Sequence, residues 1–537
     1  MKLSLLVASC LTAVQAHLAF MPIQPPLSAE DDGTLTKREA GFFEQLIDHD
    51  APELGTFQQR YWYNATYWKG PGSPVILFTP GEVAAEGYTG YLTDRALTGN
   101  IAKAVGGAVV IIEHRNWGTS LPYTLQNTKN LQQHTMTSAV LDFVNFARNV
   151  QLPFDKNGSS NAPKAPWVYT GGSYSGILSA AIAKLAPGTI WAYHASSAPV
   201  EAVYDYWSYF LPIQKGMPQN CSRDFERIVD HVDKVLLTGR EDEVHDLKKK
   251  FGLQNVTHND DFASALVGPL GFWQSIQFYS GYSSFYATCD AIEGATGNYS
   301  HSSADGVGLP KALDNYAKWW TSEYLPGTCA SYGVEEWSDP LNTACFETYD
   351  ETSPMYTDWS ADNQFGRTWY WMTCNEPFFF WQTAFVVDKS SGAPKDRPSI
   401  VSRLVTPEYY QRQCDLFFPR QGEFTYASDS GKTAADLNRA TGGWFFTNTT
   451  RLVWSNGEFD PWRSASVSSE LRPGGPLQSR PGAPVHLIPG SRHCNDLLVR
   501  NGEANEGVQA VITSEIEQLK TWVDEFYAGK GRARRSF

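Results

Sequence analysis

Cysteine is scarce in this 537-residue chain, which has 8 of them and no C-x-x-C pair. That spacing is what a zinc site or a thiol-redox centre would use, so neither is expected and no metal or cofactor is assigned. Basic residues are also in deficit. Lys and Arg number 43 against 57 Asp and Glu, leaving a formal charge of −14 and a pI near 5.3. An acidic surface repels phosphate backbones, which excludes nucleic acid as a partner and suits a soluble protein in an acidic medium. After the first residues, no segment offers the roughly 18 unbroken apolar residues of a membrane span. There is no internal repeat and no long low-complexity tract, so the chain is not a repeat array.

What is present is apolar and aromatic. Hydrophobic residues make up 42% and aromatics 14%, with 18 Trp. That is too rich for a disordered chain and ample for a large core, and the length suggests two or more domains. Lys2, the apolar stretch Leu3 to Val14 and the small-residue pattern Val14-Gln15-Ala16 read as a signal peptide over residues 1–16. The dibasic pair Lys37-Arg38 follows a polar, proline-bearing stretch, so residues 17–38 read as a propeptide. A released secreted or vacuolar protein is expected. N-x-S/T sequons at Asn64, Asn157, Asn220, Asn255, Asn298 and Asn448 agree with that route. Cys10 lies in the signal, and seven cysteines remain; six fall between 221 and 414, with Cys494 apart. Three disulfides and one free thiol is the simplest arithmetic.

Val75–Phe78, Ala108–Ile112 and Trp167–Thr170 are unbroken β-branched and apolar runs, typical of strands buried on both faces of a parallel sheet. Arg451–Trp454 and Val485–Ile488 are further strands, and helical patterns cover Thr137–Val150 and Val511–Tyr527. Strands alternating with helices imply an α/β domain. Between about Val203 and Gly431 the pattern turns helical and aromatic, and most half-cystines lie there. The expected organisation is a first α/β part over 39–202, an inserted helical cap over 203–431, a second α/β part over 432–528 and a basic tail over 529–537.

One run carries chemistry. Trp167-Val168-Tyr169-Thr170 leads into Gly171-Gly172-Ser173-Tyr174-Ser175-Gly176 and then a helix of small residues. A strand, a glycine corner with serine at its tip and a helix form the context of a nucleophile elbow, although Ser175 stands where G-x-S-x-G has its last glycine. The alternative is a glycine-rich turn with an idle serine. A serine hydroxyl needs a base, and in α/β-hydrolases an acid and then a histidine follow the nucleophile along the chain. After the Arg451–Trp454 strand, Asn456-Gly457 reads as a turn that brings Asp460 to the carboxyl edge of the sheet. Only His486 and His493 follow Asp460. His486 lies within a strand pattern and reads as structural, whereas His493 lies on the next loop. Asp496 is the runner-up acid. The expected set is Ser173 as nucleophile, His493 as base and Asp460 as its orienting acid. The Tyr174 N–H is one oxyanion donor, and Gly81 in the loop after Val75–Phe78 is the candidate for the second. Glu82 beside it reads equally as a turn residue or a substrate contact.

These motifs together resemble the prolyl carboxypeptidase and dipeptidyl peptidase II family of serine peptidases. Gly171-Gly172-Ser173-Tyr174, Glu113-His114-Arg115, Asp460-Pro461-Trp462 and Phe43-Glu44-Gln45-Leu46-Ile47-Asp48-His49 carry the likeness. It is strongest to the fungal secreted, acid-acting prolyl endopeptidases, where a serine at the position of Ser175 recurs. The resemblance spans about residues 42 to 528. It implies an α/β-hydrolase with an inserted, mainly helical cap and cleavage after proline, with some leakage to alanine, in proline-containing peptides or proteins. It also suggests a ring-sized pocket at Ile177, Phe379 and Trp462, with Glu376 nearby; each apolar member reads equally as core. The pairs Cys221–Cys289, Cys329–Cys345 and Cys374–Cys414 are likewise implied by the resemblance. A proline-specific exopeptidase, an esterase or lipase, and a binding protein on a hydrolase scaffold are the competing readings, and oligomeric state is left open.

Overall fold

The computed structural model describes residues 23–28, 40–295, 303–361, 363, 365–384, 398–446 and 449–529. The signal segment, Lys37-Arg38, Asn298, Asn448 and the basic stretch Lys530 to Arg535 lie outside them.

An eight-stranded sheet forms the body, in the order β1-β2-β4-β3-β5-β6-β9-β10. Its strands are β1 (Gly41–Leu46), β2 (Thr56–Asn64), β3 (Val75–Phe78), β4 (Ala108–Ile112), β5 (Trp167–Gly172), β6 (Ala192–Ser196), β9 (Leu452–Gly457) and β10 (Val485–Ile488). From β4 onward every neighbour pairs in parallel, whereas β1 and β2 are antiparallel additions at one edge. This is the α/β-hydrolase arrangement. The apolar runs behave as their composition dictates. In β3, Val75 and Leu77 enter one core cluster while Ile76 and Phe78 enter the other. Both faces are therefore buried, and β3 and β4 are apolar at every position. One face is covered by the helices Met136–Asn149 and Ser173–Leu185, the other by Leu97–Val105 and Glu506–Gly529.

Residues 203–431 are mainly helical, as the pattern suggested. Helix Gln219–Thr238 buries Phe225, Ile228, Val229, Val232 and Leu236, a one-sided stripe at helical spacing. The charged stretch 224–251 lies on two helices, Gln219–Thr238 and Glu241–Lys250, parted at Gly239. Disulfides join Cys221 to Cys289, Cys329 to Cys345 and Cys374 to Cys414. Closing loops of 68, 16 and 40 residues removes denatured-state entropy worth on the order of 3–4 kcal/mol each. Two three-residue strands, β7 (Val203–Asp205) and β8 (Phe379–Trp381), pair in parallel where this region meets the body. Of the sequon asparagines, Asn157 and Asn255 are exposed; Asn64 is half-buried and donates to the Leu92 carbonyl at 2.8 Å.

Candidate active site

Strand β5 ends at Gly172 and the helix begins at Ser173 with no linking residue. Ser173 is left with φ of +60°, a left-handed conformation that a non-glycine residue adopts only when its surroundings enforce it. The glycines are required by contact. A β-carbon on Gly171 would stand 2.3 Å from Ser175 Oγ, and one on Gly176 would stand 2.9 Å from Ser196 O. Ser175 is buried and its hydroxyl pairs with Tyr169 OH at 3.2 Å. A small side chain at 175 is thus needed, and glycine is not the sole solution.

The other two groups come from the far side of the sheet. Asp460 follows β9 and caps the short helix Pro461–Ala465, accepting the Trp462 N–H at 3.0 Å. Asn456 and Gly457 do not form the turn expected of them. They are the last residues of β9, paired with Leu487 and Ile488. Gly457 is there for closeness: a β-carbon would stand 2.3 Å from the Arg492 carbonyl oxygen. The loop after β10 carries His493, whose Nδ1 is 2.9 Å from Asp460 Oδ1 and whose Nε2 is 2.8 Å from Ser173 Oγ. Since the carboxylate can only accept, Nδ1 carries the proton, Nε2 is the acceptor, and the serine hydroxyl donates to it. Ser173, Asp460 and His493 are all buried. Asp496, the runner-up acid, faces elsewhere. It accepts from Ser196 Oγ at 2.6 Å and lies 3.4 Å from His194 Nε2.

Around this relay the residues sort by place. Tyr174, next to the nucleophile, reaches into a buried histidine pair that composition and spacing did not reveal. His114 Nδ1 donates to Arg115 O at 2.8 Å, so its Nε2 accepts from Tyr174 OH at 3.2 Å. Burial lowers the His114 pKa to about 4, which keeps the ring neutral and this arrangement intact. Gly81 has φ of +79° and lies against Tyr174 and Ser175, with its N–H 3.3 Å from Thr79 Oγ1. Glu82 is buried, and neither carboxylate oxygen has a hydrogen-bond partner from another residue among those described. Burial pushes its carboxyl well above the ordinary 4.5. Glu376 accepts the Met136 N–H at 3.1 Å and is raised by burial, with Lys432 opposing.

Trp462 is fully buried, 6.4 Å centroid to centroid from His493. Its indole N–H donates to Gln274 Oε1 at 2.8 Å, and Tyr206 and Phe380 flank it at 5.6 and 5.3 Å. Phe380 is the ring that meets Trp462, whereas Phe379 packs on Tyr204 and Trp381; both have φ of +54° and both line one cavity of the helical region. Ile177 is buried one turn beyond Ser173. Gln274, Tyr206 and Phe380 come from the helical region, and nothing in their local sequence separates them from core residues.

Two groups of ligating side chains lie apart from the relay. His258, Asp261 and Glu347 cluster at the rim of the helical region. His194, Asp496 and Glu515 are buried between β6 and the C-terminal helix. Burial alone would lower the His194 pKa, but Glu515 and Asp496 outweigh it and push it up to about 10. Both carboxylates meet the same ring nitrogen, Glu515 Oε1 at 3.1 Å and Asp496 Oδ2 at 3.4 Å from His194 Nε2.

Comparison with known proteins follows this geometry. Residues 45–511 match the family described as "Serine carboxypeptidase S28". The chain is 44% identical over 510 residues to "Serine protease vicPa" of Bipolaris victoriae (strain FI3), covering 95% of this chain and 92% of that one. It is 32% identical to a "Probable extracellular serine carboxypeptidase" of Arthroderma benhamiae, over 81% of this chain and 59% of the relative. It is 23% identical to a "Lysosomal Pro-X carboxypeptidase" of Pongo abelii, over 96% and 93%.

Proposed function

The chain belongs to the serine carboxypeptidase S28 family of serine peptidases, and on that premise we propose that it cleaves peptide bonds on the carboxyl side of proline, with alanine as a minor alternative. The observation that carries the serine-peptidase chemistry is the unbroken path Ser173 Oγ to His493 Nε2 to Asp460, at 2.8 and 2.9 Å; the preference for proline is proposed from the family resemblance. In the proposed reaction His493 takes the Ser173 proton as Oγ attacks the scissile carbonyl, then gives it to the leaving amine. Asp460 holds the ring in the required tautomer and stabilises the imidazolium. The acyl-enzyme is released by water along the same path in reverse. The oxyanion develops at the N-terminus of helix Ser173–Leu185, where the helix dipole favours negative charge. Tyr174 N–H is one donor. Gly81 N–H is the second; its long contact to Thr79 Oγ1 is weak enough to be exchanged for the oxyanion.

Trp462, Phe380 and Tyr206 form the apolar, aromatic surface beside His493 that a proline ring would fill. Glu82 and Glu376, both buried, are the acidic groups proposed on the substrate side. Secretion through residues 1–16, cleavage after Arg38, sequon glycosylation and acidic working pH belong to the same proposal. The relatives named for extracellular and lysosomal locations support it. Internal cleavage is the mode proposed, from the likeness to fungal prolyl endopeptidases. A second reading, carboxypeptidase action, is favoured by the names of two relatives and by the complete burial of Ser173 under the helical region. A peptide with one internal proline and both termini blocked separates the two. Cleavage after proline supports the endopeptidase. Cleavage of the free-ended version alone gives the exopeptidase, and neither being cut removes proline specificity.

A further inference from the structure

Residues 23–28 fall inside the stretch read as propeptide, yet they are built into the catalytic body. Gln24 is 1% exposed. Its side-chain Nε2 donates to Thr79 O at 3.0 Å, and its Oε1 accepts the Gly172 N–H at 3.1 Å. Gly172 immediately precedes Ser173, and Thr79 opens the loop that carries Gly81. One amide therefore ties the elbow to the loop of the second oxyanion donor. The contact is close on both sides: a β-carbon on Gly172 would stand 2.9 Å from Gln24 Oε1.

The rest of the segment is received as specifically. Tyr88 OH donates to Gln24 O at 3.1 Å, Tyr91 OH to Pro25 O at 2.7 Å and Gly90 N–H to Leu27 O at 2.8 Å. Leu27 is buried with Phe78 and Tyr91 on the sheet face opposite the helical region. A β-carbon on Gly90 would stand 2.5 Å from Leu27 Cγ. Leu27 lies in the core cluster that excludes Trp462, while Ile23 packs against both clusters.

We infer that residues 23–28 are a permanent strap of the active enzyme, that Gln24 is a positioning residue for the oxyanion site, and that a cut after Arg38 leaves the strap peptide docked. This rests on the proposed serine-peptidase reading. Losing the Gln24 amide leaves a buried N–H and a buried carbonyl unpaired and frees the two segments to move relative to each other.

The test uses the purified secreted protein. Active sites are titrated with a fluorophosphonate, and the denatured protein is then examined by intact mass spectrometry. Residues 23–28 should be present at about one per titrated serine, on the main chain or as a separate peptide. Fully active enzyme without them overturns the inference. Gln24→Ala should lower kcat per titrated serine by about tenfold or more while KM moves little, and Gln24→Glu, which keeps the acceptor for Gly172, should fall between. Unchanged kcat per titrated site in Gln24→Ala, with only a lower Tm, also overturns it. Wild-type protein that takes up no fluorophosphonate would instead sink the serine-peptidase reading.

Discussion

Gly457 and Arg492 meet so closely that a β-carbon on the glycine would stand 2.3 Å from the arginine's carbonyl oxygen. Gly457 ends the strand that leads to Asp460, and Arg492 precedes His493. The approach of these two backbones sets the 2.9 Å contact between acid and base. Gly457→Ala should push the His493 loop away and lower kcat/KM by about a hundredfold or more, because displacement of a catalytic group by about 1 Å costs that much. Fluorophosphonate labelling of the variant should slow in parallel. A Gly457→Ala enzyme with wild-type kcat/KM would show that the contact does not set the geometry.

Phe380 packs on Trp462 and Phe379 on Tyr204. Phe380→Ala removes the ring standing 5.3 Å from Trp462. It should lower kcat/KM for a proline substrate about 10- to 200-fold, the range for a small apolar group in a specificity pocket, and should lower the alanine substrate less. Phe379→Ala should leave the proline-to-alanine ratio near wild type while lowering Tm. Matched kcat/KM measurements on the two substrates decide it; a ratio that collapses in Phe379→Ala and holds in Phe380→Ala reverses the assignment.

The pH dependence of stability follows from the buried carboxyls. Burial raises Glu82 well above 4.5 and raises Glu376 as well. A carboxyl with a raised folded pKa binds its proton more tightly when folded. Its stability contribution is therefore complete below about pH 4.5 and is lost as pH rises towards the folded value, at up to about 1.4 kcal/mol per pH unit for each group. His194 behaves differently: its contribution is complete below about 6.5 and is lost as pH rises through about 10. The Tm of Glu82→Gln relative to wild type should accordingly rise between pH 4 and pH 7. A Tm difference that stays constant over that range would show that Glu82 is not held protonated.

Much of the body was legible in the sequence because the strands buried on both faces begin as apolar runs. Val75–Phe78 and Ala108–Ile112 announce themselves in that way. Strands β1 and β2 do not, since they are half-buried and carry Gln45, Gln58 and Gln59. The order and loop context of Ser173, Asp460 and His493 could be read locally, because each follows a strand. Gly457 was misread as a turn residue because close approach and turning both select glycine, and only the three-dimensional neighbour tells them apart. Phe379 and Phe380 both take left-handed backbone, φ of +54°, and a local turn of that kind leaves no periodicity to read. Gln24 lies in a proline-bearing polar stretch whose partners are 55 and 148 residues away, so local pattern holds no trace of its contacts.

Position 175 tests the elbow itself. Ser175→Gly should keep most activity, since only small size is needed beside Gly171. Ser173→Ala should fold, as judged by an unchanged circular dichroism spectrum, with turnover down by several orders of magnitude. If Ser175→Ala were as inactive as Ser173→Ala while equally well folded, the nucleophile would be misassigned.

The measurement that bears most directly on the whole account is fluorophosphonate labelling followed by peptide mapping. The adduct should sit on Ser173 alone, at about one per active chain, and should be absent from Ser173→Ala and strongly slowed in His493→Ala. An adduct on another serine, or labelling of Ser173→Ala at the wild-type rate, would contradict it.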